Sequence, residues 1–297
     1  MDVKKCPICG HEQYRTIHKG IRGKIKIQDY DPRVKKDVDV LKCNNCGHVW
    51  LKTFINNADG FFEESGMRDF DPPSLCEVRK DMAEEHDRYY RDTLNLISNK
   101  TLCDFGCGSG GYLDRAKAIT KEYVGIEMER AMRIALVKEW GEGHCFKSID
   151  EVGKFDVITM FHVLDHLQSP YEYFEELKKH LNEGGKIYIE TPNADDALIS
   201  LYDCQAFSDF TYYICHFMYY TASSIRILAE KAGFTVDYIK YRQRYPVANH
   251  LYWLKNGLPG GHEKWAFLRN NELDDAYGNT LAMCGATDTI TALIGIE

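Results

Sequence analysis

Four cysteines near the N-terminus have the type and spacing of metal ligands. Two residues separate Cys6 from Cys9, which precedes a glycine, and Cys43 and Cys46 repeat this arrangement. Two such pairs can direct four thiolates at one Zn²⁺ ion, and the glycines permit the tight turns required. A redox-active Cys-x-x-Cys is the alternative, but such a pair usually occurs once and beside a helix. The spacing predicts a zinc ribbon with a structural metal, since cysteine fills all four ligand positions.

A glycine-rich loop in the middle of the chain has the pattern of a nucleotide-binding turn. The apolar segment 102–105 runs into Gly-Cys-Gly-Ser-Gly-Gly at 106–111, and Glu127 ends the next apolar segment. Glycines let the backbone approach a ligand closely, and an acid at the end of the second apolar segment can bind ribose hydroxyls. A nicotinamide-dependent dehydrogenase shares this fingerprint, so the loop alone leaves two cofactor classes open.

Acidic and histidine residues near this loop add charge recognition and proton transfer to its possible chemistry. Asp104 lies two residues before the first glycine, where a cationic ligand group is favoured and a pyrophosphate is not. Asp165 and His166 follow a later apolar stretch, and His216 lies in an aromatic segment. An imidazole can accept a proton from a hydroxyl near neutral pH. For each histidine alone, a purely structural role is an equal alternative.

Strands alternating with helices would have to position these residues. The predicted strands are 102–105, 123–126, 144–146, 155–160 and 186–190, with helices at 113–119, 130–140, 171–180 and 223–232. This alternation predicts a parallel sheet with helices on both faces, and ligands in such sheets bind beyond the carboxyl ends of the strands. The segment 287–297, rich in Thr and Ile, is expected to add a closing antiparallel strand.

Composition excludes several classes of protein. The chain has 297 residues, of which 44% are hydrophobic and 28% charged, as in an ordinary globular protein. It has neither an apolar run long enough to span a membrane nor an N-terminal secretory pattern, so a cytoplasmic protein is expected. Residues 1–60 carry 12 Lys/Arg and 7 Asp/Glu, whereas the whole chain has a net charge of −8. The acidic body makes nucleic acid an unlikely partner, apart from a contact through the ribbon.

Taken together, residues 75–240 resemble the class I S-adenosylmethionine-dependent methyltransferases. The stretch 104–110 looks like their first motif, Glu127 like their second-strand acid, and 155–158 with 164–167 like their fourth-strand signature. The resemblance implies an α/β fold, doubly wound around a mostly parallel, seven-stranded Rossmann-like sheet, with S-adenosylmethionine as cofactor. It implies cofactor contacts from Asp104 at the ammonium group, Gly106, Gly108 and Gly110 at the methionine portion, Glu127 and Met128 at the ribose, Ser148 and Ile149 at the adenine, and Phe161 and His162 beneath the cofactor.

The whole chain also resembles methyltransferases of sugar metabolism. Deoxysugar C-methyltransferases combine a four-cysteine module, this core and an aromatic segment with a Glu-His pair. Here Cys215 stands at the Glu position and only His216 is retained, which favours methylation of a hydroxyl. The segment 241–285 is similar to the tail of methyltransferases of polysaccharide biosynthesis, and Arg242 and Arg244 suit the phosphate of a nucleotide-sugar. A packing helix followed by a glycine turn is the plainer reading of that segment.

These observations predict a zinc ribbon at 1–60, a connector and lead-in helix at 61–99, and a methyltransferase domain at 100–297. The expected reaction is methylation of a sugar or nucleotide-sugar hydroxyl, with His166 or His216 as the base and Asp165 beside them. The alternatives are an RNA methyltransferase that uses the ribbon, a deoxysugar C-methyltransferase, and a binding protein that has lost transfer. The stretch Asp71-Pro72-Pro73 is similar to a signature of amino-methylating enzymes but lacks its aromatic residue.

Overall fold

The computed structural model of the chain describes residues 5–21, 38–55, 57–64 and 74–296. The strands of these residues are β1 (Tyr14–Lys19), β2 (Asp39–Cys43), β3 (Val49–Leu51), β4 (Thr101–Phe105), β5 (Glu122–Ile126), β6 (Cys145–Phe146), β7 (Phe155–Phe161), β8 (Leu181–Pro192), β9 (Met218–Tyr219), β10 (Thr235–Arg242) and β11 (Thr289–Gly295). The helices are α1 (Ala58–Glu63), α2 (Leu75–Asp81), α3 (Ala83–Ile97), α4 (Gly111–Ala116), α5 (Arg130–Trp140), α6 (Pro170–Lys179), α7 (Ala197–Ser200), α8 (Gln205–Thr211), α9 (Ala222–Lys231), α10 (Val247–Asn256), α11 (Gly261–Lys264) and α12 (Asn271–Met283). Within the described ranges, no helix is both long and apolar enough to cross a lipid bilayer.

The main sheet has seven strands in the order β10-β11-β8-β7-β4-β5-β6. Strands β4 to β8 are parallel, and β11 runs antiparallel to both β8 and β10. The strand order reverses between β4 and β7, because the chain builds β5 and β6 on one side before it crosses to the other. A ligand crevice is expected where the order reverses, beyond the carboxyl ends of these strands. The predicted α/β fold with a mostly parallel seven-stranded sheet is confirmed.

Two details of the main domain differ from the sequence-based expectation. The C-terminal strand is antiparallel as expected, but it lies inside the sheet, and β10, which the sequence analysis did not predict, forms the edge. Nearly every residue of β11 is buried, whereas β10 has only partly buried and exposed residues, so β11 occupies the interior position. The lead-in helix, expected to be continuous, is divided at Met82.

The division at Met82 follows from two different packing partners. Ser74 caps α2 through a reciprocal capping box with Glu77, and Arg79 ties that helix to Glu139 of α5 at 2.6 Å. By contrast, α3 packs on α4. The segment Asp71-Pro72-Pro73 lies outside the described residues.

The ribbon is continuous with the main domain through a second sheet. Strands β1, β2 and β3 of the ribbon form an antiparallel sheet, and β9 from beyond the main parallel strands pairs with β3 as its fourth strand. Side chains from both regions then share one hydrophobic core, in which Trp50 and Phe217 are fully buried. The segment that follows His216 is therefore held in place partly by the ribbon.

Candidate active site and zinc centre

The four predicted zinc ligands converge. The Sγ atoms of Cys6 and Cys46 are 3.6 Å apart, those of Cys9 and Cys43 are 3.5 Å apart, and all four lie within 4.8 Å of one another. A tetrahedral Zn²⁺ with Zn–S bonds of about 2.3 Å requires sulfur–sulfur separations of roughly 3.8 Å. The donor set therefore fits a structural zinc ion, and four thiolates leave no coordination position for a substrate.

The glycine loop lies between β4 and α4, at the point where the strand order reverses. Gly106, Gly108 and Gly110 all have positive φ angles, at 81°, 54° and 71°. A Cβ atom at Gly106 would lie 2.4 Å from a methyl of Val163, and one at Gly110 would lie 2.2 Å from the ring of Trp140. Around Gly108 there is no atom within 4 Å of such a Cβ among the described residues, so this part of the loop is open to a ligand.

Glu127 follows β5 and is hydrogen-bonded to the glycine loop. One carboxylate oxygen accepts from the backbone N–H of Gly108 at 2.7 Å, and the other accepts from that of Glu129 at 2.7 Å. An ionised carboxylate only accepts hydrogen bonds, which is the role that ribose hydroxyls require of their partner. Met128 is next along the chain, and its carbonyl accepts from Arg133 at 2.7 Å.

Asp104 is buried near the end of β4. Its carboxylate accepts a hydrogen bond of 2.7 Å from the hydroxyl of Thr159 on the neighbouring strand. Burial raises the pKa of Asp104 to about 7, and the nearby negative charge of Glu127 adds to this effect. A cationic ligand beside Asp104 would restore its ionised form, as expected of an acid that recognises an ammonium group.

The remaining predicted cofactor residues lie at the ends of β6 and β7. Ser148 begins a short 3₁₀ helix and forms a capping box with Glu151, while Ile149 is buried. The ring of Phe161 stacks on Tyr89 at a centroid distance of 3.9 Å, so its side chain packs toward α3. His162 has a positive φ of 54°, which is uncommon for a residue with a side chain.

The three predicted catalytic residues form one cluster. The buried carboxylate of Asp165 lies 3.7 Å from Nε2 of His166 and 3.6 Å from Nε2 of His216. Burial opposes ionisation of Asp165, but the facing imidazoles outweigh it and hold its pKa below the usual value. The other ring nitrogen of His166 lies 2.8 Å from the carbonyl oxygen of Cys215, which orients that imidazole. The three residues that were grouped from the sequence are thus neighbours in the structure.

A cavity of about 260 Å³ lies beside this cluster. Its wall includes His216, although neither His166 nor Asp165 contributes to it. Its other lining residues are His162, Pro192, Asn193, Asp196, Leu198, Ile199, Phe207, Phe210, Thr211, Tyr219, Arg244, Tyr245, Asn249, His250, Trp253, Pro259, Gly260, His262 and Asp288. The predicted substrate segment 241–285 supplies eight of the twenty lining residues and the stretch 192–219 supplies ten, and the wall combines aromatic rings with polar groups.

The two arginines of that segment have different surroundings. Arg244 lines the cavity, with its guanidinium 3.7 Å from Asp288 and 3.0 Å from Nε2 of His162. Arg242 pairs with Asp92 of α3 at 2.9 Å and does not line the cavity. The two arginines cannot be distinguished from the sequence, because both belong to one short polar run.

The buried carboxylate of Glu190 is a site residue that was not predicted from the sequence. It is fully buried near the end of β8, where Arg88 of α3 donates to both oxygens at 2.6 and 2.8 Å and His162 lies at 3.1 Å. These contacts hold the pKa of Glu190 well below its usual value, although burial alone would raise it. In the sequence, the signal for this residue was an acid at the end of an otherwise apolar strand. Glu190 orients His162, a wall residue of the cavity.

The sheet order, the glycine loop after β4 and the acid after β5 define a Rossmann-like methyltransferase fold. In agreement, residues 78–239 match a family model described as a methyltransferase domain, which covers more than half of the chain. The chain therefore belongs to this methyltransferase family, and membership supports S-adenosylmethionine as the methyl donor.

Individual relatives are distant and match over part of their length. A ubiquinone biosynthesis O-methyltransferase of Glaesserella parasuis is 28% identical over 35% of this chain and 50% of its own. A tRNA U34 carboxymethyltransferase of Idiomarina loihiensis is 31% identical over 33% of this chain and 34% of its own. The chain thus spans half or less of the length of these two relatives.

Solved structures similar to the chain include two methyl-transfer and related enzymes of low sequence identity. The cyclopropane synthase MmaA2 of Mycobacterium tuberculosis is 18% identical with a TM-score of 0.49, over 81% of this chain and 94% of its own. A methyltransferase of Aquifex aeolicus described as SAM-dependent is 15% identical with a TM-score of 0.48, over 77% of this chain and 100% of its own.

Proposed function

We propose that this protein transfers a methyl group from S-adenosylmethionine to a hydroxyl of a sugar or nucleotide-sugar bound in the cavity. The observation that carries this proposal is the position of His216, which lines the cavity while its imidazole faces the buried carboxylate of Asp165 at 3.6 Å. A hydroxyl acceptor has a proton that must leave as the new carbon–oxygen bond forms, and this imidazole can accept it.

The residues around the glycine loop fit the cofactor. Gly108 leaves open space for the methionine portion, Asp104 suits its ammonium group, and Glu127 suits the ribose hydroxyls. When bound, S-adenosylmethionine supplies a methyl group already activated by a positively charged sulfur. The protein therefore has to align the acceptor and remove its proton.

Within the catalytic cluster, His216 is the proposed base. The Asp165 carboxylate stabilises the imidazolium that forms when His216 accepts the hydroxyl proton. His166 faces the same carboxylate but does not line the cavity, so we assign it a positioning role.

The chemistry of the cavity wall supports a polar acceptor with flat apolar faces. Trp253 and Tyr245 offer rings on which a pyranose can stack, while Asn249 and His262 offer amide and imidazole groups for hydroxyls. Arg244 is the cation of the wall that would attract a phosphate of a nucleotide-sugar. Methylation at oxygen is favoured because Cys215 stands where a C-methyltransferase would need a carboxylate.

The test has two stages with the full chain. Calorimetric titration with S-adenosylhomocysteine and, separately, with NAD identifies the cofactor class, and binding of the first alone is expected. Transfer of labelled methyl is then measured with a panel of nucleotide-sugars and, in parallel, with tRNA. Transfer to a nucleotide-sugar that is lost in His216→Ala, with unchanged S-adenosylhomocysteine affinity, supports the proposal. Transfer to tRNA alone, weakening steeply with salt, would establish the RNA alternative instead.

A further inference from the structure

Helix α1, which follows the ribbon, is tied by charge to the two loops where the cofactor is expected. The carboxylate of Glu63 lies 2.8 Å from Nζ of Lys147 and 3.7 Å from the guanidinium groups of Arg130 and Arg133. Glu63 retains only 19% of its side-chain exposure despite belonging to a short surface helix. One carboxylate thus joins residues that follow β5 and β6.

Arg133 connects Glu63 to the loop of the predicted ribose acid. One of its nitrogens donates to the carbonyl oxygens of Glu127 at 2.9 Å and Met128 at 2.7 Å. A guanidinium has several donors in a fixed plane, so it can hold these carbonyls while its other end faces Glu63. The side chain of Glu63 therefore acts on the Glu127 loop through Arg133.

Lys147 connects Glu63 to the loop of the predicted adenine contacts. It immediately precedes Ser148 and Ile149, and its ammonium group donates to Glu63 at 2.8 Å. The backbone N–H of Lys147 donates to Glu151 at 3.1 Å, so the residue is also anchored within its own turn. The pair between Glu63 and Lys147 thus fixes that turn relative to α1.

The same helix also reaches the catalytic cluster. The ring of Phe62 makes an edge contact with His166 at 5.5 Å and another with Phe217 at 6.1 Å. Helix α1 therefore spans from the β5 and β6 loops to the imidazoles near the cavity.

We propose that Glu63 is a positioning residue for S-adenosylmethionine, which clamps the ribose and adenine loops against α1 and slows release of the cofactor. This inference rests on the proposed function. Glu63 acts only through Arg133 and Lys147, so its removal raises the dissociation rate and leaves the fold intact. Neutralising one partly exposed carboxylate with three cationic neighbours is expected to raise that rate about 3- to 10-fold.

The experiment measures the dissociation rate of S-adenosylhomocysteine from the full chain by surface plasmon resonance. The variants are Glu63→Gln, its partner Lys147→Gln and the double substitution, with Glu64→Gln as the matched control. Glu64 is adjacent and pairs with Arg130 at 2.8 Å, but it is 64% exposed. Faster dissociation is expected in both test variants, and the double variant should dissociate about as fast as Glu63→Gln, because Glu63→Gln already removes the pair with Lys147 together with those to Arg130 and Arg133. The control is expected to stay within about twofold of wild type.

Salt dependence separates the clamp from a general loss of structure. Raising the salt concentration should speed dissociation from wild type toward the rate of Glu63→Gln, while that variant responds less, since its ion pairs are already absent. A wild-type rate and salt dependence in Glu63→Gln, with wild type binding the ligand, would overturn this inference alone. Failure of wild type to bind S-adenosylhomocysteine would overturn the proposed function as well.

Discussion

Trp50 of the ribbon lies directly opposite Met218 in the antiparallel pairing of β3 with β9. The backbone N–H of Leu51 donates to the carbonyl of Phe217 at 3.0 Å, and the hydroxyl of Thr221 donates to the carbonyl of Cys46 at 2.8 Å. The segment that continues from His216 is thus held against the four-cysteine module. This arrangement gives the ribbon a role in shaping the cavity wall, even though four cysteine ligands would leave a bound metal no open coordination position.

Removal of zinc is expected to loosen the segment that follows His216 while the main sheet stays folded. A ribbon of this size depends on its metal for much of its folding free energy, so chelation should release β9 from β3. Hydrogen exchange should increase in residues 38–51 and 217–220, while β4 and β5 keep their protection. Metal analysis should find one zinc per chain before chelation and none in a Cys43→Ser, Cys46→Ser variant. Unchanged exchange at 217–220 after complete loss of zinc would contradict this coupling.

Two glycines of one loop should respond differently to alanine. Gly106→Ala brings a Cβ to 2.4 Å from Val163 at a positive φ, so overpacking and backbone strain add to a loss of about 2–4 kcal/mol. Gly108→Ala meets open space and incurs only the strain, about 1–2 kcal/mol. Urea unfolding of both variants measures these losses. Binding of S-adenosylhomocysteine should nevertheless weaken in Gly108→Ala, because the new methyl group would occupy the open space expected to hold the ligand. Equal losses of stability in the two variants would contradict the difference in packing around Gly106 and Gly108.

Asp104 should make both stability and cofactor affinity depend on pH. Burial raises its pKa from 3.8 to about 7 in the folded protein, so the native state keeps a proton that the unfolded chain releases. The contribution to stability is therefore fully present below pH 4 and is lost as the pH rises toward 7, by roughly 4 kcal/mol at most. Asp104→Asn should remove this decline in the free energy of unfolding of the ligand-free protein.

The same carboxyl should release a proton when an ammonium ligand binds. At pH 6.5 the wild type is expected to lose a fraction of a proton on binding S-adenosylhomocysteine, and affinity should rise between pH 6 and 8. Calorimetry in buffers of different ionisation enthalpy measures this release. Asp104→Asn serves as the control and should show none; equal release by both proteins would mean that another group titrates.

Substitutions in the catalytic cluster should separate a base from a positioning residue. His216→Ala is expected to lower kcat for methyl transfer about 10²- to 10⁴-fold, the usual contribution of general base catalysis. His166→Ala should lower it less, because that imidazole does not line the cavity. Asp165→Asn should also lower kcat, since the imidazolium loses its facing charge. Each variant should bind S-adenosylhomocysteine as wild type does, and a larger loss in His166→Ala would reverse the two assignments.

Local patterns in the sequence were enough to predict the parallel strands of the main sheet, the glycine loop and the grouping of the four N-terminal cysteines. Helix α5 begins and ends at the residues expected, because the apolar face of the helix and the glycine that ends it belong to the same short stretch of sequence. The Cys-x-x-Cys pairs similarly carry their own turn geometry, with Gly10 and Gly47 at positive φ. Such features depend on contacts between residues close in the chain, so they can be read without a structure.

Tertiary structure alone determined which of these residues lie together. His216 lines the cavity and His166 does not, because His166 directly follows Asp165 in the loop after β7, whereas His216 reaches the same carboxylate from the segment before β9. Arg244 faces the cavity and Arg242 faces α3 for the same kind of reason. The pairing of β3 with β9 and the link from Glu63 to Lys147 join residues more than 80 positions apart. No periodicity records such contacts, since they depend on how distant elements pack around a common core.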